Sequence, residues 1–288
     1  MKKQFASIAI IGKYMDAIAL QQMQLELVQL AQHLASKDIK VLVEANTAKH
    51  AQITGFNTVN LQDIHHVDLV IVMGGDGTML SVARMLLHTQ VPLVGINRGR
   101  LGFLTDLRTE DMLDEIDKIL AGEFQIESRM LLDAEVLRGD KVIHKNVALN
   151  DVVIKNALRL IEIEVKINGQ FVSRQRADGL ILSSPTGTTA YALSAGGPIL
   201  HPDLDAISIV PISPHTLSNR PITVTSDSVC EVTIVSADDA HLSYDGQHQQ
   251  ALNVGDSIRV VRASQEVTLL HPSGYCYFDM LRNKLNWG

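Results

Sequence analysis

Four apolar runs in the first hundred residues set the strongest limit on the fold. Residues 5–11 (FASIAII), 39–45 (IKVLVEA), 67–73 (VDLVIVM) and 92–97 (PLVGIN) are mostly hydrophobic, with no alternation. Strands of that kind are buried on both faces, as in a parallel sheet covered by helices. Between the first two runs, Leu20, Met23, Leu27, Leu30 and Leu34 recur at helical spacing, which predicts a helix over 17–35. The third run leads into a glycine turn and a second predicted helix over about 79–87. Strands and helices in alternation predict a doubly wound α/β domain that binds ligands at the carboxyl ends of its strands.

The period changes near Phe124. IEIEVKIN (161–168) alternates strictly, and Asn168-Gly169 is a type I′ turn signal leading into QFVSRQ. Residues 228–236, 256–264 and 267–272 read as further strands, with Asp245-Gly246 as another turn. The fold class expected is α/β plus β, in three parts. An N-terminal doubly wound α/β domain covers 1–124, a mainly antiparallel β domain covers 125–272, and a C-terminal tail covers 273–288. Of twelve aromatic residues, Tyr275, Tyr277, Phe278 and Trp287 lie in the last 14, and Phe278, Leu281 and Leu285 repeat at helical spacing. A solvated tail avoids aromatics, so this one is expected to pack back on the body.

Composition narrows the partners. Asp and Glu number 32 against 25 Lys and Arg, the formal charge is −7, and no basic cluster stands out. Nucleic acid is therefore not an expected partner. No run approaches the roughly 18 apolar residues of a membrane span, so no membrane partner is expected either. The start, MKKQFASIAIIGKYMD, has a short apolar stretch and no small-residue cleavage site. Cys230 and Cys276 show no metal or disulfide-framework spacing, which fits free thiols in a cytoplasmic protein.

The chemistry gathers in a few stretches. Residues 71–80 read IVMGGDGTML. A P-loop would need Gly-Lys-Ser/Thr after a longer spacer, and no lysine is present. A dinucleotide fingerprint starting at Gly75 and Gly77 finds Leu80 where its third glycine belongs, and the protein-kinase loop fails at the same place. The plainer reading is a sharp turn with Asp76 as a helix cap. Alternatively, Gly74, Gly75 and Gly77 permit φ > 0 and close backbone approach, leaving amides at a helix N-terminus for phosphate oxygens. A carboxylate there repels phosphate unless it binds a metal or accepts a proton. That points to Asp76 as a general base beside a phosphate, and to transfer rather than simple binding. A second stretch, RADGLILSSPTGTTAYALSAGGPIL (176–200), holds a hydroxyl-rich turn before a helix start, and Asn150-Asp151 precedes an apolar run.

Taken together these stretches resemble NAD kinase, the family that phosphorylates NAD to NADP. The resemblance rests on GGDGT (74–78), GINRGRLGFLTD (95–106), Asn150-Asp151, RADG (176–179), PTGTTAYALSAGGP (185–198) and YDGQ (244–247), in the family's order. GGDGT alone is shared with lipid kinases and phosphofructokinases, whereas the PTGTTAY block is far more specific. The resemblance implies NAD and ATP as substrates, and Asp76 as the base at the adenosine 2′-hydroxyl. It puts Gly74, Gly75, Gly77 and Thr78 at the phosphates, and Asn150 and Asp151 on the nicotinamide-side ribose. Asp178 and the segment Thr189, Ala190, Tyr191, Ala192, Leu193 and Ser194 would line the dinucleotide pocket. Arg176 would meet a phosphate and Gln247 the substrate. Arg159 is carried over from a loop that relatives fill with a histidine, KNALRL being shorter here. No carboxylate cage for a metal is visible, so Mg²⁺ is expected with the nucleotide phosphates. The family's habit implies a homodimer or homotetramer. ATP and inorganic polyphosphate both suit an amide-lined phosphate site. Two other readings compete, a lipid or sphingoid-base kinase and a non-catalytic NAD(P) sensor. The first leaves PTGTTAY unexplained, and the second has no use for a base at Asp76.

Overall fold

In the computed structural model, which describes residues 5–12, 17–99, 102–156, 159–216 and 218–287, the chain divides into two units. Residues up to Ser128 together with those from Val267 onward form one, and Arg129–Glu266 forms the other.

The first unit is the α/β domain. Its strands are β1 (Ser7–Gly12), β2 (Lys40–Glu44), β3 (Asn57–Val59), β4 (Leu69–Gly74), β5 (Leu93–Asn97) and β6 (Leu107–Arg108). They pair in parallel in the order β3-β2-β1-β4-β5-β6. The helices are α1 (Ala17–Ser36), α2 (Ala45–His50), α3 (Asp76–Met85) and α4 (Met112–Leu120). Every residue of β4 and β5 is buried, which explains their unbroken apolar character. Met23, Leu27, Leu30 and Leu34 of α1 are fully buried in the same core as Ile8, Ile10, Leu69 and Ile71. The strand order reverses direction between β1 and β4. Crevices outside strand carboxyl ends at such a reversal are where open α/β sheets take ligands, and the glycine turn leaves β4 at that end.

The second unit is a β-sandwich. Its strands are β7 (Phe124–Arg138), β8 (Lys141–Ala148), β9 (Asp151–Asn156), β10 (Ile161–Ile167), β11 (Gln170–Ala177), β12 (Gly179–Ser183), β13 (Ala206–Ile212), β14 (Ile222–Thr225), β15 (Cys230–Ser236), β16 (Ala240–Tyr244), β17 (His248–Leu252) and β18 (Ser257–Pro272). The unit boundary falls inside β7 and β18. One sheet runs β14-β13-β12-β9-β16-β17, and β11-β10-β15-β18 pair in another, all antiparallel. Alternate residues from both sheets, among them Val152, Ile154, Leu180, Leu182, Ile163, Val165, Val232 and Ile258, share one core. The strict alternation of IEIEVKI appears as alternate full and partial burial. Asn168 and Gly169 both have positive φ, as a type I′ turn requires. One element differs from the sequence reading: the strands read over 256–264 and 267–272 are a single one. Exposed Ser264-Gln265-Glu266 interrupts the apolar alternation but not the extended backbone.

The tail forms helix α6 (Tyr277–Leu285), whose Tyr277, Met280 and Leu281 are buried. Its inward stripe differs from the one read from sequence, because Phe278 and Trp287 are more than half exposed.

Candidate active site

The glycine turn is tighter than its sequence suggests. Helix α3 begins at once, with Gly75 as the residue before its first turn, in extended backbone (φ −113°, ψ −177°). None of Gly74, Gly75 or Gly77 has positive φ, so conformational permission is not why they are glycines. Their use is spatial. A side chain at Gly74 would strike Thr78, whose Oγ1 lies 2.7 Å from the Cβ position. Above Gly75 and Gly77 a Cβ would meet nothing within 4 Å, so a ligand can approach the backbone there. The amides of Thr78 and Met79 are both taken by the Gly75 carbonyl.

Asp76 is not a helix cap. No side chain caps α3, and the Asp76 carboxylate reaches instead to the segment 102–105. The amides of Phe103 and Leu104 donate to its Oδ2 and Oδ1 at 2.9 and 3.0 Å, and the Thr105 hydroxyl donates to Oδ1 at 3.1 Å. Thr105 Oγ1 in turn accepts from the Asn97 side-chain amide at 2.7 Å. A carboxylate offers about four lone-pair sites, so three donors fix its orientation and leave room for one proton. Gly102 is required here, since any Cβ on it would collide with Asp76 Oδ1. The part played by 102–105 was legible only as a motif; nothing in the sequence showed that its amides point at Asp76.

The second unit carries the other half of the predicted residues. Asn150 and Asp151 enter β9 on a backbone bend held from three directions. The Asp245 carboxylate accepts from the amides of Leu149, Asn150 and Asp151 at 3.1, 2.7 and 3.1 Å. Ser184 donates from its amide to the Asn150 carbonyl at 2.9 Å and from its hydroxyl to the Leu149 carbonyl. Gly187 lies so close to the Asn150 carbonyl that a Cβ would overlap it. Asp245 and Gly246 both have positive φ and close the β16–β17 hairpin. The turn was read from sequence; its carboxylate, which organises the bend, was missed.

A cavity of about 360 Å³ opens here, lined by Asn150, Asp151, Ala190, Tyr191 and, unforeseen, Val153, Lys155, Ser243, Asp245 and Gly246. Strand period explains the set, since residues 151, 153 and 155 share a face of β9 while 152 and 154 face the sandwich core. Asp151 is buried, and burial, with the neighbouring charge of Asp245, pushes its carboxyl up to about 7. Tyr191 opens the one-turn helix α5 (Tyr191–Ser194) and leaves its ring partly exposed. Ala192 packs into a small cluster with Val153, Ile181 and Val210, so its role is packing beneath the pocket. Thr189 spends its hydroxyl on the Thr186 carbonyl at 3.3 Å, and Leu193 and Ser194 do not line the cavity. Nor do four of the other predicted residues. Arg159 is exposed and pairs with Asp238 at 3.4 Å. Exposed Arg176 and Asp178 precede the end of β12 opposite to that which pairs with Asp151. Gln247 follows Gly246 in the hairpin turn, its amide donating to the Tyr244 carbonyl at 3.0 Å.

Residues 8–124 match the model of the ATP-NAD kinase N-terminal domain, and 149–271 that of the ATP-NAD kinase C-terminal domain. The chain is 48% identical to the NAD kinase of Thiobacillus denitrificans, covering all of this chain and 99% of that protein. It is 46% identical to the NAD kinase of Aromatoleum aromaticum, over all of this chain and 96% of that one. Among solved structures, yeast NADH kinase complexed with NADH superposes with a TM-score of 0.86 at 27% identity, over 98% of this chain and 89% of that one. An NAD kinase from Archaeoglobus fulgidus in complex with ATP shares the fold, with a TM-score of 0.76 at 23% identity over 98% and 100% of the two chains. With both domain models matched in order and full-length relatives near half identity, the chain belongs to the ATP-NAD kinase family.

Proposed function

We propose that this chain transfers the γ-phosphoryl group of ATP to the 2′-hydroxyl of the adenosine ribose of NAD, giving NADP. The observation that carries the reading is the environment of Asp76: an oriented carboxylate at a helix N-terminus, with open space over Gly75 and Gly77. A secondary hydroxyl is a poor nucleophile at neutral pH, and a positioned base contributes roughly 10²- to 10⁴-fold. In this reading the glycine turn, with Gly74, Gly75, Gly77 and Thr78, receives phosphates. Asn150 and Asp151 take the nicotinamide-side ribose hydroxyls, and Ala190 and Tyr191 give apolar surface to a ring. Thr189, Leu193, Ser194, Arg159, Arg176, Asp178 and Gln247 remain proposed contacts on the family resemblance alone, and Ala192 packs with Val153, Ile181 and Val210 beneath the pocket.

Mg²⁺ fits as an ion carried by the nucleotide. The glycine turn presents one carboxylate, Asp76, beside open space over Gly75 and Gly77. When bound, the ion neutralises charge on the transferred group. The same reading includes a cytoplasmic setting, which the free thiols of Cys230 and Cys276 suit. It also includes a homodimer or homotetramer, for which exposed Phe171, Val172 and Ile222 of the β domain are candidate contacts.

The test is incubation with ATP, Mg²⁺ and NAD, reading NADP through a coupled NADP-specific dehydrogenase, for the wild type and Asp76→Asn. The variant keeps size and most hydrogen bonding but accepts no proton, so kcat should fall at least about 100-fold with NAD affinity little changed. Wild-type protein that makes no NADP, or an Asn variant that turns over normally, would sink the reading.

A further inference from the structure

Asp76 is held by the segment 102–105, and that segment is flanked by two contacts, one from α6 at Phe103 and one from the end of β18 at Asp106. The ring of Phe103, whose amide donates to Asp76, lies 6.0 Å from Lys284 Nζ and has the Tyr277 ring tilted against it at 6.4 Å between centroids. Both partners belong to α6. Three residues on from Phe103, the Asp106 carboxylate bonds His271 Nδ1 at 2.9 Å. The other imidazole nitrogen meets Glu127 at 2.8 Å, and the ring stacks on Tyr275 at 3.9 Å. This imidazole is buried; burial disfavours its charge, but the two carboxylates outweigh that and raise its pKa. Between the two contacts lie Leu104 and Thr105, the remaining donors to Asp76. The backbone bond from the Gly102 amide to the Thr105 carbonyl, 2.9 Å, makes this stretch one turn.

We infer that the end of β18 and the C-terminal tail together form a positioning element for the Asp76 carboxylate, with Tyr277 and Lys284 of α6 setting Phe103 and His271 of β18 setting Asp106. The inference rests on the reading of Asp76 as general base. Three donors from one turn orient the carboxylate only as well as the turn itself is placed. Helix α6 covers the Phe103 ring with an aromatic side and a cation. Tyr277, Lys284 and His271 touch no reacting atom in this scheme. They act through the turn, and the tail contributes to rate rather than to substrate affinity.

The experiment is a double-mutant cycle in the full chain, with kcat, the KM values for NAD and ATP, and the melting temperature measured for each protein. A misplacement of about 1 Å can cost on the order of 100-fold, so Tyr277→Ala should lower kcat ~10- to 100-fold with both KM values unchanged. Tyr277→Phe, which keeps the ring, should retain kcat. In the Asp76→Asn background, Tyr277→Ala should cost nothing further, because residues that act as a unit are not additive. If Tyr277→Ala fails to fold, Lys284→Met, at a half-buried surface position, carries the same comparison with a smaller loss of about threefold. An equal loss in both backgrounds, or unchanged kcat in both tail variants, overturns the inference while leaving the base reading intact. Near-normal turnover by Asp76→Asn alone overturns the base reading and the inference with it.

Discussion

The Asp245 carboxylate accepts a hydrogen bond from the Asn150 amide at 2.7 Å across 95 residues of sequence. Its two oxygens also take the amides on either side of Asn150, so one side chain sets the bend that presents both ribose-binding candidates. Asp245→Ala leaves three amides without this acceptor and puts a Cβ-bearing residue with no local side-chain bond at positive φ. The expected cost is about 2–3 kcal/mol in stability, measured by denaturant unfolding, with NAD affinity down at least ~10-fold.

Asn150 itself has a narrower role. Asn150→Ala removes one side-chain partner but keeps the bend, which uses only its backbone. NAD binding should weaken by roughly 1–3 kcal/mol, with little change in melting temperature. An unchanged dissociation constant in titration calorimetry would take Asn150 out of the site.

Asp151 gives the protein a pH signature. Its carboxyl is raised by burial first and by Asp245 second, to about 7. The folded form therefore binds more protons than the unfolded chain between pH ~4 and 7, and stability from this group is lost as pH rises through that window. Asp151→Asn removes the titration. Without ligand, the variant should gain stability relative to wild type at pH 8 and gain little at pH 4, by up to a few kcal/mol (~4 at most). Equal differences at both pH values would show that Asp151 titrates in the folded protein as it does in the unfolded chain.

Gly102→Ala separates activity from folding. The added methyl collides with the Asp76 carboxylate and Thr105 Oγ1, and these are side-chain ends that can turn away. The melting temperature should fall modestly, since the displaced carboxylate leaves the Phe103 and Leu104 amides without their acceptor, while kcat falls ~100-fold because the Asp76 carboxylate loses its orientation. A variant with both properties normal would show that Asp76 needs no fixed orientation.

The order of elements was legible because its signals are local. The unbroken apolar runs that became β1, β2, β4 and β5, the leucine stripe of α1 and the alternation of β10 each reflect burial set within a few residues. The two hairpin turns, Asn168-Gly169 and Asp245-Gly246, were readable for the same reason, since left-handed backbone is decided residue by residue. The site was legible as motifs but not as contacts. That Asp76 bonds the turn 27 to 29 residues away, and that the glycines before it serve space rather than positive φ, follows from how β4 and β5 lie side by side. That Asp245 rather than Gln247 shapes the bend at Asn150 and Asp151 depends on the register that sets Tyr244 opposite Val152. Spacing along a chain fixes which face a residue occupies. Only pairing between distant strands decides which donor that face finds, because the sequence separation of two hydrogen-bonding groups carries no information about the register that joins them.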